Sequence, residues 1–223
     1  MATTATPHGA HHDDRVYHQF EDYEQQTDSY VIGMWCFVVQ EIMFFGALFM
    51  AYTLYRWKYQ DDFYQARQTL NILWGAVNTT VLLTSSFSMA LAVHYAQQKK
   101  QALQQACLFF TLLCACAFLF VKLYFEWAEK FRLHHVMGPQ FHWTGSGSPA
   151  HIQLFFSLYF GMTGLHGVHV LAGIIVIGIL MFMTHKNYPS VRDYIPTELV
   201  GLYWHFVDIV WIFLFPLFYL MPK

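Results

Sequence analysis

The sequence predicts an all-α membrane protein, a polytopic helical bundle with five transmembrane helices. Of its 223 residues, 56% are hydrophobic and only 12% are charged, whereas a typical soluble domain has about 25% charged residues. Five apolar segments each approach or exceed the roughly 20 residues that a helix needs to cross a bilayer. They run continuously and do not alternate with a period of two, which favours helices over barrel strands. The predicted spans are Val31–Tyr55, Ile72–Tyr95, Ala102–Val121, Leu154–Met183 and Leu199–Met221.

The chain divides into a polar amino-terminal tail, residues 1–29, and a transmembrane domain, residues 30–223. The tail is acidic and lacks the basic start and apolar run of a signal peptide. Its His8, His11 and His12 could capture a metal, but the Gly, Ala, Pro and Thr around them favour a solvated tail. The net charge of −2 and scattered basic residues give no indication of a nucleic-acid partner.

A carboxylate lies near the centre of the first span. Glu41 follows Gln40 in an otherwise apolar stretch. Ionised side chains at this depth cost about 2.5–3.5 kcal/mol on insertion scales, and they are usually functional or paired inside a bundle. We therefore expect Glu41 to be neutral or hydrogen-bonded. A contact that stabilises the bundle and a role in proton movement both remain open.

The second and third spans contain polar residues that suggest contacts between helices. The second span has Asn78 and several Thr and Ser residues, which commonly hydrogen bond to a neighbouring helix in membranes. Lys122 and Glu126 are four residues apart at the end of the third span. They are expected to pair with each other or to reach the interface by snorkelling.

The fourth and fifth spans each contain a pair of polar residues three positions apart. His166 and His169 share one helix face, and so do His205 and Asp208. A carboxylate one turn from an imidazole can pair with it, so we predict a polar clamp of His205 and Asp208. His166 and His169 are its expected neighbours. The fourth span is longer than a flat crossing requires, which suggests tilt or an extension beyond the lipid.

These histidines could instead ligate haem or copper, since imidazole suits both metals. However, an enzyme holding two haems and a copper would need many more intramembrane histidines than the four in or at the ends of the spans. Hydrogen bonding between helices is the favoured interpretation. We expect no catalytic residue, no cofactor and no metal in this chain. The four histidines are His94, His166, His169 and His205.

Three stretches together resemble subunit III of the haem–copper respiratory oxidases, the cytochrome c oxidase subunit III family, in its short five-helix form. They are Glu41-Ile-Met-Phe-Phe-Gly46, His166-Gly-Val-His169-Val-Leu-Ala-Gly173 and Tyr203-Trp-His-Phe-Val-Asp208-Ile-Val-Trp211. The resemblance covers about residues 29–221. The sequence departs from it at Lys122 and Glu126-Trp127, where many members have Gln and a Glu-Tyr pair.

The resemblance implies a non-redox accessory subunit of a proton-pumping cytochrome c oxidase, in the cytoplasmic (inner) membrane of a bacterium. Haem and copper would be held by the partners, the catalytic haem–copper subunit I and the copper-bearing subunit II. Phospholipids would bind in a cleft, and cytochrome c would be the donor to the complex. Membership of a respiratory supercomplex is left open. The proton-linked or lipid-cleft candidates are Glu41, His166, His169, His205 and Asp208.

Three alternatives remain. The chain could be subunit III of a quinol oxidase or an accessory subunit of a nitric oxide reductase. It could also be a proton-coupled transporter using Glu41 and Asp208, although such a protein usually has broken helices or internal symmetry. The electron donor and haem type belong to other subunits. Basic residues are divided nearly evenly between the two sides, so charge does not determine the orientation.

Overall fold

The computed structural model describes residues 16, 19–133, 141–143, 145–188, 191 and 193–220. Within those ranges the regular structure is helical, and five helices are long and apolar enough to cross a membrane. The predicted all-α, five-helix architecture is therefore confirmed. The elements are α1 (Tyr23–Lys58), α2 (Gln60–Arg67), α3 (Ile72–Gln97), α4 (Gln101–Val121), a π-helical turn (Lys122–Trp127), α5 (Ala128–Arg132), α6 (Pro149–His185) and α7 (Ile195–Tyr219).

Two of the spanning helices are much longer than a bilayer requires. α1 has 36 residues and α6 has 37, which at 1.5 Å per residue gives each a length of roughly 55 Å. The hydrocarbon core is about 30 Å thick, so both helices extend beyond it. α1 starts at Tyr23, where the Asp22 carboxylate accepts a hydrogen bond of 2.7 Å from the Gln25 amide. It therefore begins within the predicted tail, much of which, including His8, His11 and His12, lies outside the described residues.

α7 lies at the centre of the bundle and α1 lies at its edge. α7 packs against α3, α6 and α1. In its membrane-spanning portion α1 buries only a narrow stripe of residues seven apart, Val38, Phe45 and Tyr52. A seven-residue repeat places side chains on one face of a helix, so most of the surface of α1 is not covered by this chain.

Ser and Thr side chains of α3 bond to its neighbours, as the sequence predicts, whereas the buried Asn78 amide has no hydrogen-bond partner within the described residues. The Trp204 indole donates to Ser85 Oγ at 2.9 Å, and the Trp211 indole donates to Thr79 Oγ1 at 3.1 Å. Ser88 donates to a backbone carbonyl of α4 at 2.9 Å. These bonds hold α3 against α7 and α4, and inside the bundle water does not compete for them.

Close approach of α6 and α7 depends on Gly173. A Cβ at this position would lie 2.6 Å from a ring atom of Trp204. The Trp204 side chain is fully buried and is anchored to α3 by its indole hydrogen bond. The ring therefore has little freedom to move, and only glycine allows the two helices to meet at this point.

We expect Gly173→Ala to destabilise the subunit by about 1–3 kcal/mol, because overpacking a tight contact forces side chains and backbone to shift. The measurement is the thermal unfolding temperature of the intact protein in detergent. Gly33→Ala on α1 is the matched control, since a Cβ there has no atom within 4 Å. An equal response of the two variants would contradict the role of Gly173.

Candidate functional site

The carboxylate near the middle of α1 faces a histidine of α6. Glu41 Oε2 lies 3.2 Å from His169 Nε2, and both side chains are largely buried. The Phe45 ring packs edge-on against the imidazole, with centroids 5.2 Å apart. On the other side the Tyr203 hydroxyl donates to the His169 carbonyl at 2.9 Å. Residues from α1, α6 and α7 therefore hold this pair in place.

The protonation of the His169 ring follows from its second hydrogen bond. His169 Nδ1 lies 2.8 Å from the Leu165 carbonyl oxygen, which can only accept, so Nδ1 carries a hydrogen. In the neutral ring Nε2 is then an acceptor. Within the described residues Glu41 Oε2 has no well-formed hydrogen bond, and a hydrogen on the acid would let it donate to Nε2 across the 3.2 Å separation. The pair can share one proton between Glu41 and His169.

The predicted pairing of His205 with Asp208 is wrong, although His205 does make a polar contact between helices. His205 Nδ1 instead lies 2.7 Å from Ser86 Oγ on α3. Asp208 is buried in the contact with α3, and within the described residues neither of its carboxyl oxygens has a well-formed hydrogen bond. Two residues three apart share a helix face, but each side chain here is directed by the neighbouring helix rather than by the other.

His166 makes no hydrogen bond to His205 or Asp208 among the residues that the structure describes. It is fully buried, and neither ring nitrogen has a hydrogen-bond partner in the described part of the chain. Its ring packs against aromatic neighbours, at 5.3 Å from the Trp211 centroid and 5.7 Å from Phe118. Across the described residues, no three His, Cys, Asp or Glu side chains come close enough together to hold a metal ion.

A buried charged cluster lies at the end of the bundle where α7 finishes, and the sequence predicted only part of it. Lys122 Nζ lies 2.5 Å from Glu126 Oε2, and both side chains are about 95% buried, so the predicted pairing is confirmed and the snorkelling alternative is wrong. Lys122 also donates to the hydroxyls of Tyr159, at 3.0 Å, and Tyr219, at 2.8 Å. Both hydroxyls donate to the same Glu126 oxygen.

Every donor of this cluster has an acceptor, and all three donors to the carboxylate meet at Glu126 Oε2, whereas Oε1 has no hydrogen-bond partner within the described residues. The ammonium has three hydrogens, for the carboxylate and the two tyrosine oxygens, and each tyrosine gives its own hydrogen to the carboxylate. The positive charge also lies 4.9 Å from the Trp211 ring centroid. The sequence showed Lys122 and Glu126 but not the tyrosines, because these lie 37 and 97 residues away from Lys122 along the chain.

The same end of the bundle is closed by side chains that reach the last carbonyls of α7. Arg67 donates twice to the Tyr219 carbonyl, at 3.0 and 3.1 Å. The Tyr52 hydroxyl donates to the Leu217 carbonyl at 3.1 Å. The last four carbonyls of a helix have no partner within it. These contacts give hydrogen bonds to two of them and join the end of α7 to α1 and α2.

A sequence model of one family, cytochrome c oxidase subunit III, matches residues 18–222. The chain belongs to the cytochrome c oxidase subunit III family. It is 29% identical over 193 residues to the probable quinol oxidase subunit 3 of Staphylococcus aureus, covering 85% of this chain and 88% of the relative. It is 25% identical over 202 residues to cytochrome c oxidase subunit 3 of Thermostichus vulcanus, covering 89% and 90%.

Membership of the subunit III family, together with the five spanning helices, makes this chain a multi-pass integral membrane protein of bacteria. It is a subunit of a haem–copper oxidase, an oxidoreductase complex, in which subunit III associates with subunits I and II. The family resemblance predicted from the three sequence stretches is therefore confirmed. Its relatives include a subunit named for a quinol oxidase and one named for a cytochrome c oxidase, so family membership does not determine the electron donor.

Proposed function

We propose that this chain is the non-redox accessory subunit III of a proton-pumping cytochrome c oxidase. In this role it packs against the catalytic subunit and supports proton uptake and stability during turnover. The whole complex would transfer electrons from its donor to oxygen and release water. Haem and copper would be held by subunits I and II, and this chain's contribution would be structural and proton-linked.

The observation that supports this role is the pair formed by Glu41 and His169. A carboxylic acid and an imidazole that share one proton can pass it between them while the pair stays neutral overall, so the proton can move across this contact without leaving an unpaired charge in the membrane. The same contact fastens α1, the least buried of the spanning helices, to α6. Loss of the pair would loosen α1, which in its membrane-spanning portion buries only a narrow stripe of side chains.

A hydrophobic carbodiimide tests whether Glu41 is a neutral, lipid-accessible acid. Such reagents modify protonated carboxyls, so we expect modification of Glu41 in the intact, active oxidase, detected by mass spectrometry of peptides from α1. Glu41→Gln is the matched control and should remove that modified peptide. An unmodified Glu41 under conditions where the reagent enters the membrane would contradict the proposal.

Phospholipid binding forms the second part of the proposed function. A groove of about 520 Å³ lies between α4 and α6, with Phe109 and Phe182 among its apolar walls. Gln105 and His185 add polar groups toward the end where α4 begins and α6 ends. This arrangement suits an acyl chain along the aromatic rings and a head group at the membrane boundary.

The electron donor is testable by isolating the intact complex. Our proposal of cytochrome c predicts that a copper-bearing subunit II copurifies with this chain and that reduced cytochrome c supports oxygen consumption. The similarity to the Staphylococcus aureus protein favours the second candidate, subunit III of a quinol oxidase. In that case the complex would consume oxygen with a quinol and not with cytochrome c.

A further inference from the structure

A second groove, of about 400 Å³, lies between α1 and α7. Its volume falls within the roughly 300–1,000 Å³ typical of small-molecule sites. Aromatic and aliphatic side chains form nearly all of its lining, among them Phe45 and Phe49 of α1 and Phe206 and Phe213 of α7. His205 is the only ionisable residue in that lining. The groove therefore offers one specific polar contact in apolar surroundings.

The imidazole of His205 has a free hydrogen-bonding position. Its Nδ1 is bonded to Ser86 Oγ at 2.7 Å, and in the described part of the chain Ser86 is its only hydrogen-bond partner. Nε2 therefore remains available to a molecule in the groove.

The hydroxyl of Ser86 can donate or accept, so its bond to His205 can run in either direction. If His205 Nδ1 donates to Ser86, Nε2 is an acceptor. If Ser86 donates to Nδ1, Nε2 carries the hydrogen. The groove can therefore bind either a hydroxyl or a carbonyl head at His205.

The depth of His205 limits the charge of that head. It lies six residues inside the predicted start of the fifth span at Leu199, which is about 9 Å along a helix. A phosphate or an ionised carboxylate would lose its hydration at that depth, at a high cost. A phenolic hydroxyl, with a pKa near 10, is neutral at pH 7.

We propose that this groove binds a membrane quinol, a neutral dihydroxy aromatic ring on a long apolar chain. One ring oxygen would bond to His205 Nε2, and the ring and chain would lie against the phenylalanines of α1 and α7. The oxidised quinone would bind through its carbonyl, with Ser86 donating to Nδ1 and Nε2 carrying the hydrogen. The proposal concerns binding only, and it is independent of which donor the oxidase uses.

The test uses the intact oxidase in phospholipid nanodiscs free of quinone. The probe is a decyl-substituted quinol carrying a photoreactive azido group. We expect saturable labelling of peptides from α1 and α7, displaced by unlabelled decylquinol. His205→Phe should weaken binding by about tenfold, as expected for the loss of a single hydrogen bond. Haem content of each preparation reports assembly.

Gly46 provides a variant that fills the groove. It lines the groove, and a Cβ there has no atom within 4 Å, so Gly46→Phe places a ring at the groove wall with room for its first side-chain atom. We expect it to abolish the labelling. Gly33→Phe is the control, since Gly33 is equally open but lies outside the groove lining. Unchanged labelling in Gly46→Phe, or labelling confined to other subunits, would overturn the proposal. So would displacement by added phospholipid but not by decylquinol.

Discussion

Lys122→Met is expected to destabilise the subunit by about 3–5 kcal/mol, the cost typical of breaking a buried ion pair from one side. The substitution keeps the apolar volume but leaves the Glu126 carboxylate buried without its cation. It also removes hydrogen bonds to two tyrosine hydroxyls. The loss should appear as a lower thermal unfolding temperature of subunit III and its earlier dissociation from the complex.

The double variant Lys122→Met/Glu126→Gln provides the control. It removes both charges and keeps an amide oxygen that can accept from Tyr159 and Tyr219. We expect it to recover much of the stability lost in the single variant, because the penalty arises from the unpaired charge rather than from the absence of the pair. A single variant as stable as the parent would show that the cluster is not what holds this end of the bundle together.

Glu41→Ala is expected to shorten the working life of the oxidase more than it lowers the initial rate. The change leaves His169 Nε2 buried without a partner, at a cost of about 1–3 kcal/mol, and loosens α1. That energy corresponds to an increase of about fivefold or more in the rate of inactivation during turnover, if it is lost from the active state alone. Progress curves of oxygen consumption give both quantities from one experiment.

Glu41→Gln separates the structural from the proton-linked role. The glutamine amide can donate to His169 Nε2 and preserve the contact between α1 and α6, but it cannot exchange a proton. Recovery of the parent's working life by Gln would assign Glu41 a structural role. Decay as fast as in Glu41→Ala would support a proton-linked role. If neither variant altered the decay, Glu41 would have no part in sustaining turnover.

The sequence located the spans well but not their ends. Hydropathy marks the lipid-facing part of a helix, whereas the helix itself continues until its backbone loses a partner or meets a cap. α1 therefore starts at Tyr23, eight residues before the predicted start at Val31. α6 starts at Pro149, five residues before Leu154. The predicted extension of the fourth span beyond the lipid agrees with this length.

The candidate residues illustrate the same limit for the site. The sequence identified Glu41 and His169 as unusual, but it paired His205 with Asp208 from their spacing on one helix. The structure places Glu41 beside His169, 128 positions along the chain, and His205 beside Ser86, 119 positions away. Spacing on a helix predicts which side chains share a face. It does not predict which neighbouring helix that face meets.

The sequence by itself determined that this is a five-helix membrane protein of the subunit III type, because transfer of apolar residues into lipid is a local property and because its three stretches are distinctive. Only the tertiary structure decided the partners of the buried polar groups and the closed cluster around Lys122. Those depend on the packing of helices far apart in the chain. A buried polar atom can form a hydrogen bond only with a group that the opposing helix places beside it.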